Sequence, residues 1–256
     1  MEPPDKCLDA MVKALNDYKF FFDADFIFDS SNGFLYRQKG QLKIDNTIIE
    51  EFLPRLISPT VIPELQEHEF TIGPVTAYSS VSFESTIHTQ PDGGGMVIKS
   101  KDQDFAITKM LYLKSSHNSD FSDSITEQTY LTYVASECKT NLDKTMFQEA
   151  SATAQDLKTA VVGAKYYLIA EWPDMTPLST ATTYIDEVLI LRKAKRMSSN
   201  IRANYGSYAG RVAARDDYRA FLKKHPFEKS VFQRFCYHIA ALFPQTEDEV
   251  LKNGFF

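Results

Sequence analysis

Four consecutive branched aliphatic residues, Val188-Leu189-Ile190-Leu191, set between Asp186 and Arg192, constrain the fold of this chain more than any other segment. A strand of that kind has no polar face, so both of its sides must be covered, and a sheet with helices on each side does this. The surrounding order agrees. Residues 95–100 and 104–113 predict two strands joined by the tight turn Lys101-Asp102-Gln103, and residues 130–139 predict a third. Asn141 or Asp143 can cap a helix reaching about Ala160, with Met146, Ala150, Ala154, Leu157 and Val161 along one side. Gly163 stops it, residues 165–172 form a strand, and residues 186–192 form another. The expectation is an α/β layer fold with a mixed sheet flanked by helices.

Upstream, residues 9–18 predict a helix, followed by an aromatic hairpin around Ser31-Asn32-Gly33. A second helix covers residues 47–56, where Ile48, Ile49, Phe52, Leu53 and Leu56 recur at helical spacing; Pro54 blurs its end, and Pro59 and Pro63 mark a break. Beyond Arg196 the chain reads as loop and helix. With neither repeats nor low-complexity tracts in its 256 residues, one compact unit is expected.

Cys7, Cys138 and Cys236 are odd in number and far apart, which excludes a disulfide framework and a thiolate zinc site. The start, Met1-Glu2-Pro3-Pro4-Asp5-Lys6, lacks the basic and apolar pattern of a signal peptide, and no apolar run is long enough to cross a bilayer. A cytoplasmic protein with no membrane partner is expected. The sequence has neither a phosphate-binding P-loop nor a GxGxxG turn, which removes support for a nucleotide cofactor.

Net charge is -6, yet residues 192–224 hold ten basic residues against Asp216 and Asp217 alone. That segment is therefore +8 on an acidic body, and a local basic surface attracts phosphate whatever the total. A solvated helix face is the alternative reading.

The spacing Asp/Glu-x-Lys occurs three times: Asp17-Tyr18-Lys19, Glu137-Cys138-Lys139 and Asp156-Leu157-Lys158. Metal-assisted hydrolysis of a phosphodiester needs carboxylates for a hard cation and a lysine or base beside the nucleophile. Glu137 and Lys139 end a strand whose period of two puts both on one face and Cys138 on the other. Asp156 and Lys158 lie in a helical pattern and diverge, and Asp17 has no strand before it to supply a second acid. Asp104, at the start of a predicted strand, is the preferred remaining ligand. Asp92, in Pro91-Asp92-Gly93-Gly94-Gly95, is its rival, disfavoured because three glycines suggest a mobile loop.

The stretch Glu137-Cys138-Lys139-Thr140-Asn141-Leu142-Asp143-Lys144-Thr145-Met146-Phe147-Gln148-Glu149-Ala150 resembles the catalytic segment of the BbvCI-type restriction endonucleases. So do Gln155-Asp156-Leu157-Lys158, the run from Gly163 through Glu171-Trp172-Pro173-Asp174-Met175-Thr176-Pro177, and the run from Ile185 to Arg196. The likeness covers about Gln103 to Phe232 and leaves the N-terminal third unmatched. It implies a PD-(D/E)xK nuclease core in which Asp104, Glu137 and the Cys138 backbone carbonyl hold Mg²⁺ and Lys139 assists hydroxide formation. It also implies duplex DNA as substrate, 5′-phosphate products, a CCTNAGC-like site, and a second subunit, either related or identical. Where that family tends to have an aliphatic residue between Glu and Lys, this chain has Cys138, on the face turned from the site. The implied division is a helical and hairpin region over 1–75, the catalytic core over 76–196 and a basic helical region over 197–256.

Further candidates are weaker. Gln148 and Glu149 can support the site from the following helix, or simply face solvent. Lys165 and Glu171 share a strand face and suit a structural ion pair in preference to a contact with the site, and Pro173-Asp174 suits a turn. Arg202 and Asn204, in the polar run 198–208, have base-reading chemistry; Arg192, Lys195, Arg196, Arg211, Arg215 and Arg219 suit the DNA backbone. The last three, at i, i+4 and i+8, predict one basic helix face. Two other classes stay open: a binding subunit without activity, and a repair nuclease that reads structure instead of sequence.

Overall fold

The computed structural model describes residues 5–40 and 42–244. The helices in the first third are α1 (Asp5–Phe20), α2 (Gly33–Gln38) and α3 (Ile44–Leu56), with a π-helical segment, Phe21–Phe28, continuing α1. Strands β1 (Thr71–Phe83), β2 (Met96–Ser115) and β3 (Ile125–Leu142) follow, then α4 (Lys144–Ala160), β4 (Lys165–Pro173) and β5 (Glu187–Ile190). The remainder is helical: α5 (Ser199–Ala203), α6 (Tyr208–Ala213), α7 (Arg215–Lys224) and α8 (Lys229–Ala240). Residues 245–256 of the expected basic C-terminal region lie outside the described residues. No helix among those described is long and apolar enough to cross a membrane.

The sheet runs β1-β2-β3-β4-β5. Its first three strands are antiparallel, and β4 and β5 join in parallel, so it is mixed as expected. Period two sorts its side chains into two cores. Phe105, Ile107, Val134, Cys138, Tyr167, Ile169, Leu189 and Leu191 meet α1, α3 and α8 on one face. Ala106, Ala135, Leu142, Tyr166, Leu168 and Ala170 meet Phe147, Ala150, Ala154 and Leu157 of α4 on the other. Val188 and Ile190 pack toward that second core, so the aliphatic run is indeed covered from both sides. Asp143 is the cap of α4: its Oδ1 accepts from the Met146 amide at 2.8 Å, an arrangement that contributes about 1 kcal/mol.

Three local expectations need correction. Asn32 does not turn a hairpin; its side chain accepts from the Phe34 amide at 2.9 Å and caps α2, while the aromatic run before it is helical and buries Phe22, Ile27 and Phe28. Lys101-Asp102-Gln103 is not a turn either. It lies inside one continuous β2 and pairs with Ala77, Thr76 and Val75 of β1. That edge strand went unread because Gly73 and Pro74 interrupt it, which an edge tolerates through the bulge seen between Gly73 and Val75.

The glycines before β2 are not a loose loop. Gly93, Gly94 and Gly95 all hold positive φ, and the Gly93 amide donates to the Asp123 carbonyl at 3.1 Å. A Cβ on Gly93 would stand 2.5 Å from Ile125 Cγ1 and 2.7 Å from the Ser115 carbonyl oxygen. The 20 residues of β2 would span about 65 Å if straight. Contact between Gly93, before its start, and Ser115, at its end, therefore requires the strand to coil strongly. Bulges at Tyr78/Ser80 and Ile107/Thr108 supply part of that bend.

Candidate active site

Strands β2 and β3 stay paired from Ser115↔Ile125 to Phe105↔Ser136 and then part. Beyond that point β2 keeps β1 as its neighbour, and β3 keeps β4, through Glu137↔Leu168, Cys138↔Ile169 and Lys139↔Ala170. Asp104 stands at the fork. Its Oδ2 accepts from the Cys138 amide at 2.9 Å, so a carboxylate takes the place that a backbone carbonyl of β2 would fill in a continued ladder. The Cys138 carbonyl is held from α3, by Asn46 Nδ2 at 3.1 Å, and Asn46 Oδ1 accepts from Thr140 Oγ1 at 2.6 Å.

Glu137 and Lys139 share the face on which α4 packs, and the predicted side-chain separation holds: Cys138 is buried in the opposite core. Lys139 Nζ stands 2.6 Å from Glu137 Oε1, with side-chain exposures of 25% and 20%. Tyr166 of β4 donates its hydroxyl to Glu137 Oε2 at 2.8 Å. Burial, then the Glu137 carboxylate, pushes the Tyr166 phenol far above its ordinary value, so it stays a donor at any working pH. Partial burial disfavours the Lys139 ammonium, but its hydrogen bond to Glu137 and the charges of Glu137, Asp104 and Glu149 outweigh this and hold its pKa above the usual lysine value. Burial, followed by the charges of Asp104 and Glu50, raises the Cys138 thiol well above its ordinary range. Cys138 is therefore neither thiolate ligand nor nucleophile.

Glu50 and Tyr166 are neighbours that the sequence reading missed, as is Asn46. Burial and the Asp104 carboxylate raise the pKa of Glu50, and its Oε1 is buried without a hydrogen-bond partner. Asn46 and Glu50 are four residues apart on α3, so they share a helix face. A polar i, i+4 pair beside the apolar stripe of Ile49 and Leu53 is the signal that was available.

A divalent cation fits this donor set. Asp104, Glu137 and the Cys138 carbonyl offer hard oxygen ligands, and Mg²⁺ is commonly held by one or two carboxylates with water and phosphate completing its shell. Among the described residues no group of three or more His, Cys, Asp or Glu side chains is arranged to hold a metal. Two carboxylates and a backbone oxygen would be the protein's contribution to such a set, and the Lys139 ammonium is paired with Glu137.

The other acid candidates lie elsewhere. Asp92 opens the short turn Asp92–Gly95 that leads into β2. Lys158 pairs with Asp186 at 2.6 Å, and Asp17 with Lys13 at 2.7 Å, both outside the fork. Lys19 is buried in a network with Asp23 at 2.7 Å, Glu171 at 3.2 Å and Asp45 at 3.7 Å. The expected Lys165–Glu171 pair does not form: Lys165 meets Asp186 at 3.3 Å, and Glu171 meets Arg192 at 2.9 Å. Gln148 and Glu149 are exposed on α4; of the two, Glu149 contributes to the field at Lys139.

The basic segment is largely spoken for within the chain, which corrects the expectation that Arg192 and Arg211 contact DNA. Arg192 is 3% exposed, paired with Glu171 and stacked between Trp172 at 4.8 Å and Phe227 at 4.3 Å. Arg211 is 1% exposed, and donates to the carbonyls of Phe28 at 2.9 Å, Tyr205 at 2.9 Å and Ser30 at 2.8 Å. Arg215 pairs with Asp29 at 2.9 Å, and Arg219 with Asp29 at 2.8 Å and with Asp25. The predicted i, i+4, i+8 face is also broken between α6 and α7, and it is turned on the acidic π-helical segment. Lys195 and Asn204 are exposed. Arg196 reaches Asn141 Oδ1 at 3.0 Å, at the end of β3, and Arg202 donates to the Met197 carbonyl at 2.9 Å. Together with Lys39, Tyr36 and Thr140 they line a cleft over the buried cluster of Lys19, Asp23 and Glu171. There burial, and then like-charge repulsion from Arg196, lowers the pKa of Arg202.

Residues 41–256 match the profile of the family described as Bpu10I restriction endonuclease. No curated protein sequence matches. A solved structure described as the native BbvCI A2B2 tetramer at low resolution is similar at 17% identity and a TM-score of 0.43, over 86% of this chain and 89% of that one.

Proposed function

The chain belongs to the Bpu10I restriction endonuclease family and is a type II restriction endonuclease; from that premise we propose that its active centre is the fork between β2 and β3, with Asp104, Glu137 and the Cys138 carbonyl as ligands of Mg²⁺ and Lys139 beside the attacking water. The reading rests on one observation above others. The Asp104 carboxylate is tied at 2.9 Å to the amide of the residue between Glu137 and Lys139, which supports reading the oxygens of the two strands as one donor set.

When bound, the cation polarises the phosphate and acidifies its water. The protein's own residues do the rest. Asp104 and Glu137 neutralise the charge of the cation, and Tyr166 fixes one Glu137 oxygen. Lys139, kept protonated by its acidic neighbours, donates toward the scissile phosphate and stabilises the added negative charge of the transition state. The products are a 5′-phosphate and a 3′-hydroxyl. Lys195, Arg196, Arg202 and Asn204 are the DNA-facing residues in this proposal, because their side chains are exposed or line the cleft next to β3. The proposed division of labour is 1–75 as support for the fork, 76–196 as the catalytic core and 197–256 as DNA contact.

One such centre cuts one strand, so a double-strand break needs a second, either from a related partner or from a second copy. On the similarity of residues 103–232 to BbvCI-type enzymes, the proposed site is CCTNAGC-like. Plasmid carrying such sites, incubated with Mg²⁺ and the chain alone or with its partner subunit, tests this. Nicks or breaks at fixed positions, lost in Asp104→Asn and Glu137→Gln, are expected. Cleavage that persists in both variants, or that falls at no fixed sequence, would overturn it.

A further inference from the structure

Both backbone polar groups of Cys138 are met by side chains. Its amide goes to Asp104 of β2 and its carbonyl to Asn46 of α3, at 2.9 and 3.1 Å. Asn46 cannot choose freely which end of its amide faces that carbonyl. Thr140 Oγ1 lies 2.6 Å from Asn46 Oδ1, and a hydroxyl that donates there leaves Nδ2 to donate to Cys138. The helix that carries Asn46 is pinned one residue earlier. Asp45 is buried, 2.9 Å from Lys39 and 3.7 Å from Lys19. Rotation of α3 that would release the carbonyl would also pull Asp45 out of that ion cluster.

A carbonyl oxygen has two lone pairs. One can accept from Asn46 while the other faces a hard cation, and an oxygen held at a fixed angle loses less orientational freedom when it binds. We propose that Asn46 is a positioning residue, which aims the Cys138 carbonyl at the divalent cation, and that Thr140 holds Asn46 in its donating orientation. The inference rests on the reading of that carbonyl as a ligand, and it assigns the N-terminal third a part in metal binding that the resemblance left open.

The test uses Mn²⁺ as probe with the intact protein, together with its partner subunit if nicking requires one. Two quantities are measured: the Mn²⁺ concentration giving half-maximal plasmid nicking, separately from the rate at saturating Mn²⁺, and the rise in melting temperature on adding Mn²⁺ without DNA. Asn46→Ala is expected to raise the half-saturating concentration by about 10–100-fold, with a smaller effect on the saturated rate, and to shrink the Mn²⁺-induced rise. Thr140→Val moves both in the same direction by less, and Thr140→Ser restores them. Should Asn46→Ala fail to fold, Thr140→Val, which loses only a hydroxyl, carries the test. A half-saturating concentration within twofold of wild type in the folded variants overturns the inference. Asp104→Asn separates the two failures: if it too leaves Mn²⁺ stabilisation unchanged, the site itself has been misread, and not the role of Asn46.

Discussion

The carboxylate of Asp104 and the backbone amide of Cys138 are joined at 2.9 Å across the point where β2 and β3 separate. One hydrogen bond thus closes the sheet ladder and brings the first acid to the Glu-x-Lys strand. Asparagine at 104 keeps an oxygen for that amide but loses the charge. Asp104→Asn should therefore melt close to wild type and still bind duplex, while nicking falls by about 10²–10³-fold or more. Asp104→Ala should lose stability as well, since it leaves the amide without its partner. Melting curves and plasmid nicking, run on both variants, distinguish charge from scaffold.

Tyr166 touches Glu137 through its hydroxyl alone, at 2.8 Å, and the rest of its ring is core. Tyr166→Phe is expected to fold normally and bind DNA normally, with nicking reduced by about tenfold because Glu137 is less firmly oriented. Unchanged nicking at limiting Mg²⁺ would remove Tyr166 from the site.

Two arginines that look alike in sequence should behave in opposite ways. Arg211→Ala strands three carbonyls, two in buried hydrogen bonds and one part-buried, and should lower stability by about 3 kcal/mol, which is roughly 10 °C in melting temperature for a chain of this size. Arg202→Ala should leave melting nearly unchanged, weaken duplex binding and reduce its salt dependence by about one counterion. Fluorescence anisotropy across a salt series, beside melting curves, reads both.

Acid should unfold the protein through Asp45. Burial opposes its charge, but Lys39 and Lys19 win and hold its pKa at about 2. A carboxyl depressed on folding contributes stability above its unfolded value and loses it as pH falls toward the folded one. The contribution, about 2 kcal/mol from a shift of this size, should be complete above about pH 5 and gone by about pH 1. Asp45→Asn should lower stability at neutral pH, because it leaves Lys39 and Lys19 short of a counter-charge, and should flatten the decline below pH 4. Denaturant melts at several pH values measure it.

Local patterns revealed the parallel half of the fold well. The aliphatic run at 188–191, the Asp143 cap and the period-two placement of Glu137 and Lys139 all depend on near neighbours in sequence. The antiparallel half was harder. Gly73 and Pro74 disguise β1, and the polar run 101–104 imitates a turn because Lys101 and Asp102 are exposed on β2, although Gln103 beside them is buried. Charge was hardest of all. Arg211, Arg215 and Arg219 read as a surface stripe because their partners, the Phe28 and Ser30 carbonyls, Asp25 and Asp29, come from the opposite end of the chain. Asn46, Glu50 and Tyr166 escaped notice for the same reason: each is defined by what it meets across the fork.

The coiled β2 has a mechanical consequence. Anchored at Ser115 and, through Gly93, back upon itself, it behaves as a hoop and not as a cantilever, with Asp104 near the top of the arch. A hoop transmits widening at its clasp to its crown. Any side chain forced in at Gly93 should thus shift Asp104, far along the strand, without a single residue of the proposed centre being altered.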